Sequence, residues 1–390
     1  KILFLHWYCN TFMNNSQVDV RDFLDVEDVS EVSIERNLVF ESIQHYEHTD
    51  AKSWQSVKPT YVVGDVMRDI SKKAKRDRNW AFRKSQNSEI SEIMLALNVP
   101  KNKSDKFSTC AEVLLFAISS DNDMKLKNAW FCKDKLCPIC QWRRSLKLAY
   151  WNEKIVKEVQ TGVNIDGDYG KYVFLTLTVK NCSGDDLKKT IKMIHSGFDK
   201  MFRRAVFKQY CKGFIRSLEI TYNEQTREFH PHLHILMLMD KSYWKYKTVS
   251  GKRKLTAKLS HSDFVDYWQR SCDLNYKPSV DIRQVRRKKG KRDSLESAVL
   301  EISKYAFKPI DIKNLNDYDK RYVISSLIKG LARVRQVGYG GIFKEVYKKL
   351  SVDEEELTRV TNESEDFVAN RFSFAAYGYK TKKYYWMHKK

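Results

Sequence analysis

Residues 229–239, Phe-His-Pro-His-Leu-His-Ile-Leu-Met-Leu-Met, constrain the fold more than any other stretch of the chain. An apolar run of this length with histidines at alternate positions reads as a β-strand buried in a sheet. Side chains on a strand alternate between its faces, so His232 and His234 point the same way and are spaced to grip one metal ion.

What surrounds that strand is strongly basic. The 390 residues carry 71 Lys and Arg against 49 Asp and Glu, a formal net charge of +22, while 42% hydrophobic residues suffice for two or three domains with real cores. Such an excess exceeds what solubility needs and points to a polyanionic partner, nucleic acid first. The cations cluster at Lys72 to Arg83, Lys252 to Lys258 and Arg283 to Arg292, with Trp80, Phe82, Trp244 and Tyr246 among or beside them. Aromatics among cations suit the bases and phosphates of single strands. No run approaches the roughly 18 consecutive apolar residues of a membrane span. The opening Ile2-Leu3-Phe4-Leu5 is short and lacks a small-residue cleavage pattern, so a cytoplasmic protein is expected, with no membrane partner.

Of eight cysteines, Cys9, Cys182, Cys211 and Cys272 are scattered, whereas Cys132, Cys137 and Cys140 crowd together. In a reducing compartment that crowding argues for metal over disulfides, and Cys137-Pro-Ile-Cys140 is a common zinc-knuckle turn. A closed tetrahedral Zn²⁺ site needs a fourth thiolate. Cys110 is the leading donor, because Glu112 to Ser119 and Met124 to Phe131 can form a hairpin returning the chain to the site; Cys182 is the reserve. From Gln141 a basic helix to about Ile155 would present Arg143 and Arg144 to DNA, and Arg286, Arg287 and Lys288 extend the expected DNA-binding set.

Residues 1–60 form an acidic extension with no clear core period, 61–165 a basic and zinc-binding module, 166–312 the domain built around the histidine strand, and 313–390 a C-terminal region for DNA binding or oligomerisation. Within the third, Tyr172 to Lys180 reads as a strand and Asp185 to Phe207 as a helix with apolar Leu187, Ile191, Ile194, Phe198, Met201 and Phe202. Strands follow at Phe214 to Tyr222 and Phe229 to Met239, then a helix with Phe264, Tyr267 and Trp268, and a strand Ser279 to Val285. The order is β-α-β-β-α-β, a split α+β arrangement with an antiparallel sheet and helices on one face, preceded by the zinc module. A further helix spans Ser294 to Phe307, capped by Asp293 or Ser294. An even-numbered turn before the histidine strand would put Glu219 on the face of His232. A carboxylate and two imidazoles suit Mg²⁺ or Mn²⁺ with positions open for phosphate oxygens; His230 competes as third ligand.

On the last helix Glu301, Tyr305 and Lys308 fall at four- and three-residue spacing and can share a face. A phenol with a pKa of about 10 is a poor nucleophile until a cation such as Lys308 or a metal favours phenolate. Its attack on a phosphodiester gives a phosphotyrosyl intermediate, and Glu301 can serve as general base when that bond is resolved.

The ordered segments FLTLT at Phe174 to Thr178, HPHLH at His230 to His234 and EISKYAFK at Glu301 to Lys308 resemble the HUH endonucleases, and within them the plasmid rolling-circle replication initiators of Gram-positive bacteria. FCKDKLCPICQWRRSLK at Phe131 to Lys147 and GYGGIFKEV at Gly338 to Val346 are similar to that plasmid family as well, so the resemblance covers roughly residues 60 to 350. It implies a single nucleophile at Tyr305, termination through Glu301 in place of a second tyrosine, and a divalent metal on His232 and His234. The implied activity is nicking and joining of one strand at a double-strand origin, with a 5′-phosphotyrosine and a 3′-hydroxyl primer. Implied partners are origin DNA, duplex and hairpin, and a host helicase and polymerase; a homodimer stays open. A transposase or relaxase shares the chemistry, although a relaxase more often places its tyrosine before the histidine strand. A zinc-module DNA-binding regulator without nuclease activity is the non-enzymatic alternative.

Overall fold

The computed structural model of the chain describes residues 61–71, 76–162, 171–249, 252–285, 294–304, 314–350 and 370–389. The acidic extension of residues 1–60 lies outside them, as do Tyr305, Lys308, Arg286, Arg287 and Lys288. By its internal contacts the chain divides into two compact units.

The first unit is built on a five-stranded antiparallel sheet. In chain order its elements are β1 (Tyr61–Val66), the two-residue pair β2 (Ile70–Ser71) and β3 (Arg76–Asp77), the start of a long helix α1 (Trp80–Ala96) up to Glu89, the end of α2 (Lys101–Ser108) from Asp105, and β4 (Val113–Ile118) and β5 (Met124–Ala129); residues Ile90–Ser104 count with the second unit. The sheet order is β1, β14, β13, β4, β5, where β13 (Arg371–Gly378) and β14 (Lys383–Lys389) come from the far end of the chain. Leu114, Phe116, Ala375, Tyr377 and Tyr384 are buried there. The expected hairpin between residues 112 and 131 forms as β4 and β5. Lys84 of α1 is wholly buried, its ammonium donating to the carbonyls of Ser108 and Cys110 and lying 5.5 Å from the centre of the Tyr379 ring.

The second unit contains α3 (Pro138–Gly162), β6 (Lys171–Thr178), α4 (Leu187–Phe202), the short α5 (Ala205–Tyr210), β7 (Cys211–Asn223) and β8 (Glu228–Met239). It continues with the ribbon β9 (Trp244–Val249) and β10 (Lys252–Ala257), α6 (His261–Cys272), β11 (Val280–Gln284), α7 (Leu295–Ile302), α8 (Asp317–Gly330), β12 (Val337–Gly341) and α9 (Ile342–Lys349). Strands β11, β6, β8, β7 and β12 form one sheet in that order, every pair antiparallel. Ribbon and short helix aside, the succession from β6 to β11 is β-α-β-β-α-β. The histidine strand is therefore the central one.

Centrality explains its composition. Leu233, Ile235, Leu236, Met237 and Met239 are all fully buried, although successive residues face opposite sides. Both faces must then be covered, and the expectation of helices on one face alone is corrected. On one side α4 and α6 pack together, Phe198 of α4 meeting Phe214 of β7 at 4.9 Å. Their approach depends on Gly197, where an added Cβ would stand 2.2 Å from Cys272 Sγ. On the other side Ile155 and Val159 of α3, Val299 and Ile302 of α7 and Phe343 of α9 share a core with Tyr172, Phe174, Ile215, Leu236 and Leu238. Burying each such aliphatic or aromatic side chain contributes about 1.5–3 kcal/mol.

Two helix limits differ from the sequence reading. The stretch Asp185 to Phe207 is not one helix: Arg204 turns to an extended conformation (φ −65°, ψ 145°), and the bend lets Phe202, Phe207 and Phe214 cluster as the chain enters β7. The helix expected to reach Phe307 ends at Ile302.

Candidate active site and metal centre

Strand pairing brings the first cluster together. Four turn residues, 224 to 227, separate the paired ends Asn223 and Glu228, and that even number sets Glu219 opposite His232. On the other flank Thr176 of β6 is opposite His234, and Thr178 opposite His232. Opposed residues share a face, so Glu219, His232, His234 and Thr176 all point to the side that α3, α7 and α9 leave partly open.

The Glu219 Oε2 atom lies 2.9 Å from His234 Nε2 and 3.6 Å from His232 Nε2. Glu219 is 7% exposed and each histidine 9%, so water screens the cluster little. Burial pushes the Glu219 carboxyl up, but the hydrogen bonds and charges of His232 and His234 together outweigh it and hold the group well below the usual carboxylate range. It is an anion whose face is crowded with nitrogen donors. Cis ligands about 2.1 Å from an octahedral ion stand about 3.0 Å apart, close to these separations. One carboxylate and two imidazoles, with their ligand atoms all within 4.8 Å, fit a divalent cation that keeps further positions open.

The far nitrogens of the two rings are held differently. His232 Nδ1 sits 3.1 Å from the His230 carbonyl, which only accepts, so Nδ1 keeps its proton and Nε2 is the nitrogen that would give up its own to present a lone pair to a cation. His234 Nδ1 sits 3.1 Å from the Thr176 hydroxyl, which both donates and accepts. His230 itself is turned to Asn181, Nδ1 to Oδ1 2.9 Å, and stands outside the Glu219–His232–His234 group.

Glu301, on the last turn of α7, reaches the rim of this cluster: its Oε1 is 3.9 Å from His234 Nε2, and its Oε2 accepts from Lys304 Nζ at 2.6 Å. The helix stops just beyond. The Ser303 hydroxyl donates back to the Val299 carbonyl at 2.6 Å and accepts from the fully buried Asn152 of α3 at 2.9 Å. Asn152 Oδ1 in turn accepts from Tyr339 of β12 at 2.8 Å. This chain of bonds pins the end of α7, and with it Glu301, to α3 and to the edge strand.

The second cluster is of sulfur. The thiols of Cys110, Cys132, Cys137 and Cys140 all lie within 4.8 Å of one another, and Cys110, Cys137 and Cys140 are buried. The turn supports them as a knuckle does: the Cys140 N–H points at Cys137 Sγ (3.5 Å) at the start of α3, and the Cys132 N–H at Cys110 Sγ (3.4 Å). Tetrahedral Zn²⁺ with four thiolates at about 2.3 Å separates the sulfurs by about 3.8 Å, so the donor set fits a closed structural site. Cys182, the reserve donor, bridges to Phe229 instead.

With both clusters in view, comparison with known proteins decides the family. The family model described as "Replication protein" matches residues 123–385, about two thirds of the chain. The chain belongs to the Rep family of replication proteins. A "Protein rep" of Streptococcus pneumoniae serotype 2 is 37% identical over 301 residues, covering 77% of this chain and 88% of that protein. A "Protein rep" of Bacillus amyloliquefaciens is 36% identical over 294 residues, 70% of this chain and 82% of its own length. A "Replication protein" of Staphylococcus aureus is 28% identical over 219 residues, 55% of this chain and 90% of its own length. No solved structure gives a significant match. All five motif segments fall inside the family match, and the family is the plasmid rolling-circle initiators they resemble.

Within this Rep-family chain, the expected residues Glu219, His232, His234 and Glu301 are brought together, and so are the four cysteines. Arg143 and Arg144 lie on the first turns of α3, Arg144 donating to the Lys133 carbonyl at 3.3 Å. The helix expected to carry Glu301, Tyr305 and Lys308 on one face ends at Ile302, where bonding tightens to the Ser303 N–H on the Leu300 carbonyl, and Tyr305 and Lys308 lie outside the described residues. The cation against Glu301 is Lys304, whose three-residue spacing was a readable signal. Thr176, Asn152, Ser303 and Tyr339 were missed, although Thr176, Ser303 and Tyr339 sit inside recognised motifs. Among the described residues, no helix is long and apolar enough to cross a membrane.

Proposed function

We propose that the protein is a plasmid rolling-circle replication initiator that nicks and rejoins one DNA strand at the double-strand origin. The observation that carries this reading is the buried Glu219–His232–His234 cluster with Glu301 3.9 Å from His234. In the resembled HUH endonucleases this constellation serves phosphoryl transfer.

Glu219, His232 and His234 would hold Mg²⁺ or Mn²⁺, which when bound withdraws charge from the scissile phosphate. Tyr305 Oη attacks phosphorus and loses its proton to solvent or a neighbouring base. A phosphotyrosyl bond forms at the 5′ end as the P–O3′ bond breaks; its electron pair stays on O3′, which takes a proton and becomes the primer hydroxyl. At termination Glu301 draws the proton from the hydroxyl or water that attacks phosphorus; the P–Oη bond breaks with its electron pair on Oη, which takes a proton from solvent and is restored to the phenol. Lys304 holds the Glu301 side chain in place through its 2.6 Å contact, and Lys308 would favour the phenolate. Zn²⁺ on the four cysteines would fix the start of α3, while Arg143, Arg144, Arg286, Arg287 and Lys288 would take phosphates. Residues 166–312 would form the nicking domain, working in the cytoplasm with a host helicase and polymerase. Membership of a replication-protein family favours an initiator over a transposase of the same chemistry.

The test is direct. Supercoiled plasmid carrying the gene's own replicon, incubated with protein and Mn²⁺ or Mg²⁺, should yield nicked circles with protein covalently on the 5′ end. Tyr305→Phe should form no adduct. An adduct from that variant would refute the nucleophile, and a mobility shift without nicking would leave only a DNA-binding regulator.

A further inference from the structure

The ribbon of β9 and β10 belongs to no larger sheet among the described residues. Lys245, Tyr246, Lys247 and Thr248 are consecutive and all exposed, so both faces of β9 meet solvent. A two-stranded hairpin without a core is marginal in water. From Trp244 to Lys258 the sequence contains Lys245, Lys247, Lys252, Arg253, Lys254 and Lys258 and no Asp or Glu. Asp263 at the start of α6 faces Lys245, and one carboxylate against six cations leaves a projecting element whose excess positive charge suits a polyanion.

We propose that the β9–β10 ribbon is a duplex-DNA contact that enters the major groove with its lysines on the flanking phosphates. The inference rests on the reading of the chain as an origin-DNA enzyme and names the part that grips the double strand. The major groove, about 12 Å wide, admits a two-stranded ribbon. Single strands are gripped by series of stacking rings, whereas here Trp244 is packed edge-on against Tyr243 at 4.9 Å and Tyr246, 60% exposed, stands with cations. The ribbon is rooted at the far end of the histidine strand, where the Lys258 N–H donates to the Tyr243 carbonyl at 2.9 Å. From His234 to Met239 that strand advances about 17 Å, so the root stands about five base pairs of duplex from the metal ligands. Changes in the ribbon therefore leave the chemistry untouched.

The experiment uses the full chain without divalent metal. Binding of a random-sequence duplex of about 30 base pairs, and of a single strand of equal length, is followed by fluorescence anisotropy across a series of NaCl concentrations. For Lys245→Glu/Lys247→Glu the expected result is a loss of duplex affinity of at least about tenfold and a salt dependence shallower by about two in log–log slope, with single-strand affinity unchanged. An unchanged duplex slope, or equal losses on both probes, would overturn the proposal. Should the double variant fold poorly, lysine acetylation of the unaltered protein decides: Lys245 and Lys247 are to be shielded by duplex but not by single strand, and equal labelling with and without duplex refutes it. Neither readout involves cleavage, so a protein that binds duplex through the ribbon yet never nicks DNA would sink the nickase reading alone.

Discussion

At the scale of single residues, the two histidines beside Glu219 differ in what holds them. His232 is preset by a carbonyl, while His234 leans on a hydroxyl that can reverse its role. With Nε2–H bonded to Glu219, the ring accepts from Thr176; with a cation at Nε2, the proton moves to Nδ1 and Thr176 accepts. Thr176→Val removes both options at nearly constant volume, and Mn²⁺ affinity by calorimetry should fall about 10–100-fold, with Thr176→Ser retaining most of it. Unchanged affinity in the valine variant would deny the hydroxyl this part. The imidazoles and Glu219 were legible because strand alternation and turn parity are written in the chain. Thr176 was not, since a hydroxyl acquires meaning only once the neighbouring strand is aligned.

At the scale of elements, the informative departure is the early end of α7. Helical periodicity in residues 295–307 is unbroken on paper, yet the Ser303 hydroxyl turns back on Val299 and the buried Asn152 side chain takes the place of a further turn. No local rule could have revealed this, because Asn152 lies 151 residues away. Asn152→Ala leaves Tyr339 and Ser303 each short of a buried partner, and thermal unfolding should register a loss of about 1–3 kcal/mol per orphaned group. Rejoining should suffer more than nicking if Glu301 is displaced, which a two-step oligonucleotide assay separates. For α3, Cys137→Ser removes one thiolate from the first turn; metal analysis should find its zinc lost, and a stoichiometric zinc content in that variant would contradict the four-cysteine assignment.

For the whole molecule, a buried base on the opposite side of the sheet sets an acid limit. Burial above all, and then the Arg216 guanidinium whose Nη1 lies 3.0 Å from Nδ1, push His195 down to about 4 from 6.5. Between those values the unfolded chain binds a proton that the folded chain refuses. Stability is therefore whole above pH 6.5 and declines as pH falls towards 4, by up to about 3 kcal/mol from this residue. Urea midpoints at pH 7 and pH 5 should differ markedly less in His195→Gln, and an equal difference would assign the decline to other groups. The order of elements from β6 to β11 and the antiparallel sheet were legible from apolar spacing, whereas the central place of the histidine strand appeared only with the pairing. The helices on the second face were not, because α3, α7 and α9 are far from the histidine strand in sequence and look like surface helices until packed. The same sheet tapers: its central strands run to 13 and 12 residues, while each outer strand has only 5. So little free main chain at the margins gives a second copy almost nothing to zip on to, which guards against runaway strand exchange when many initiators crowd onto one origin.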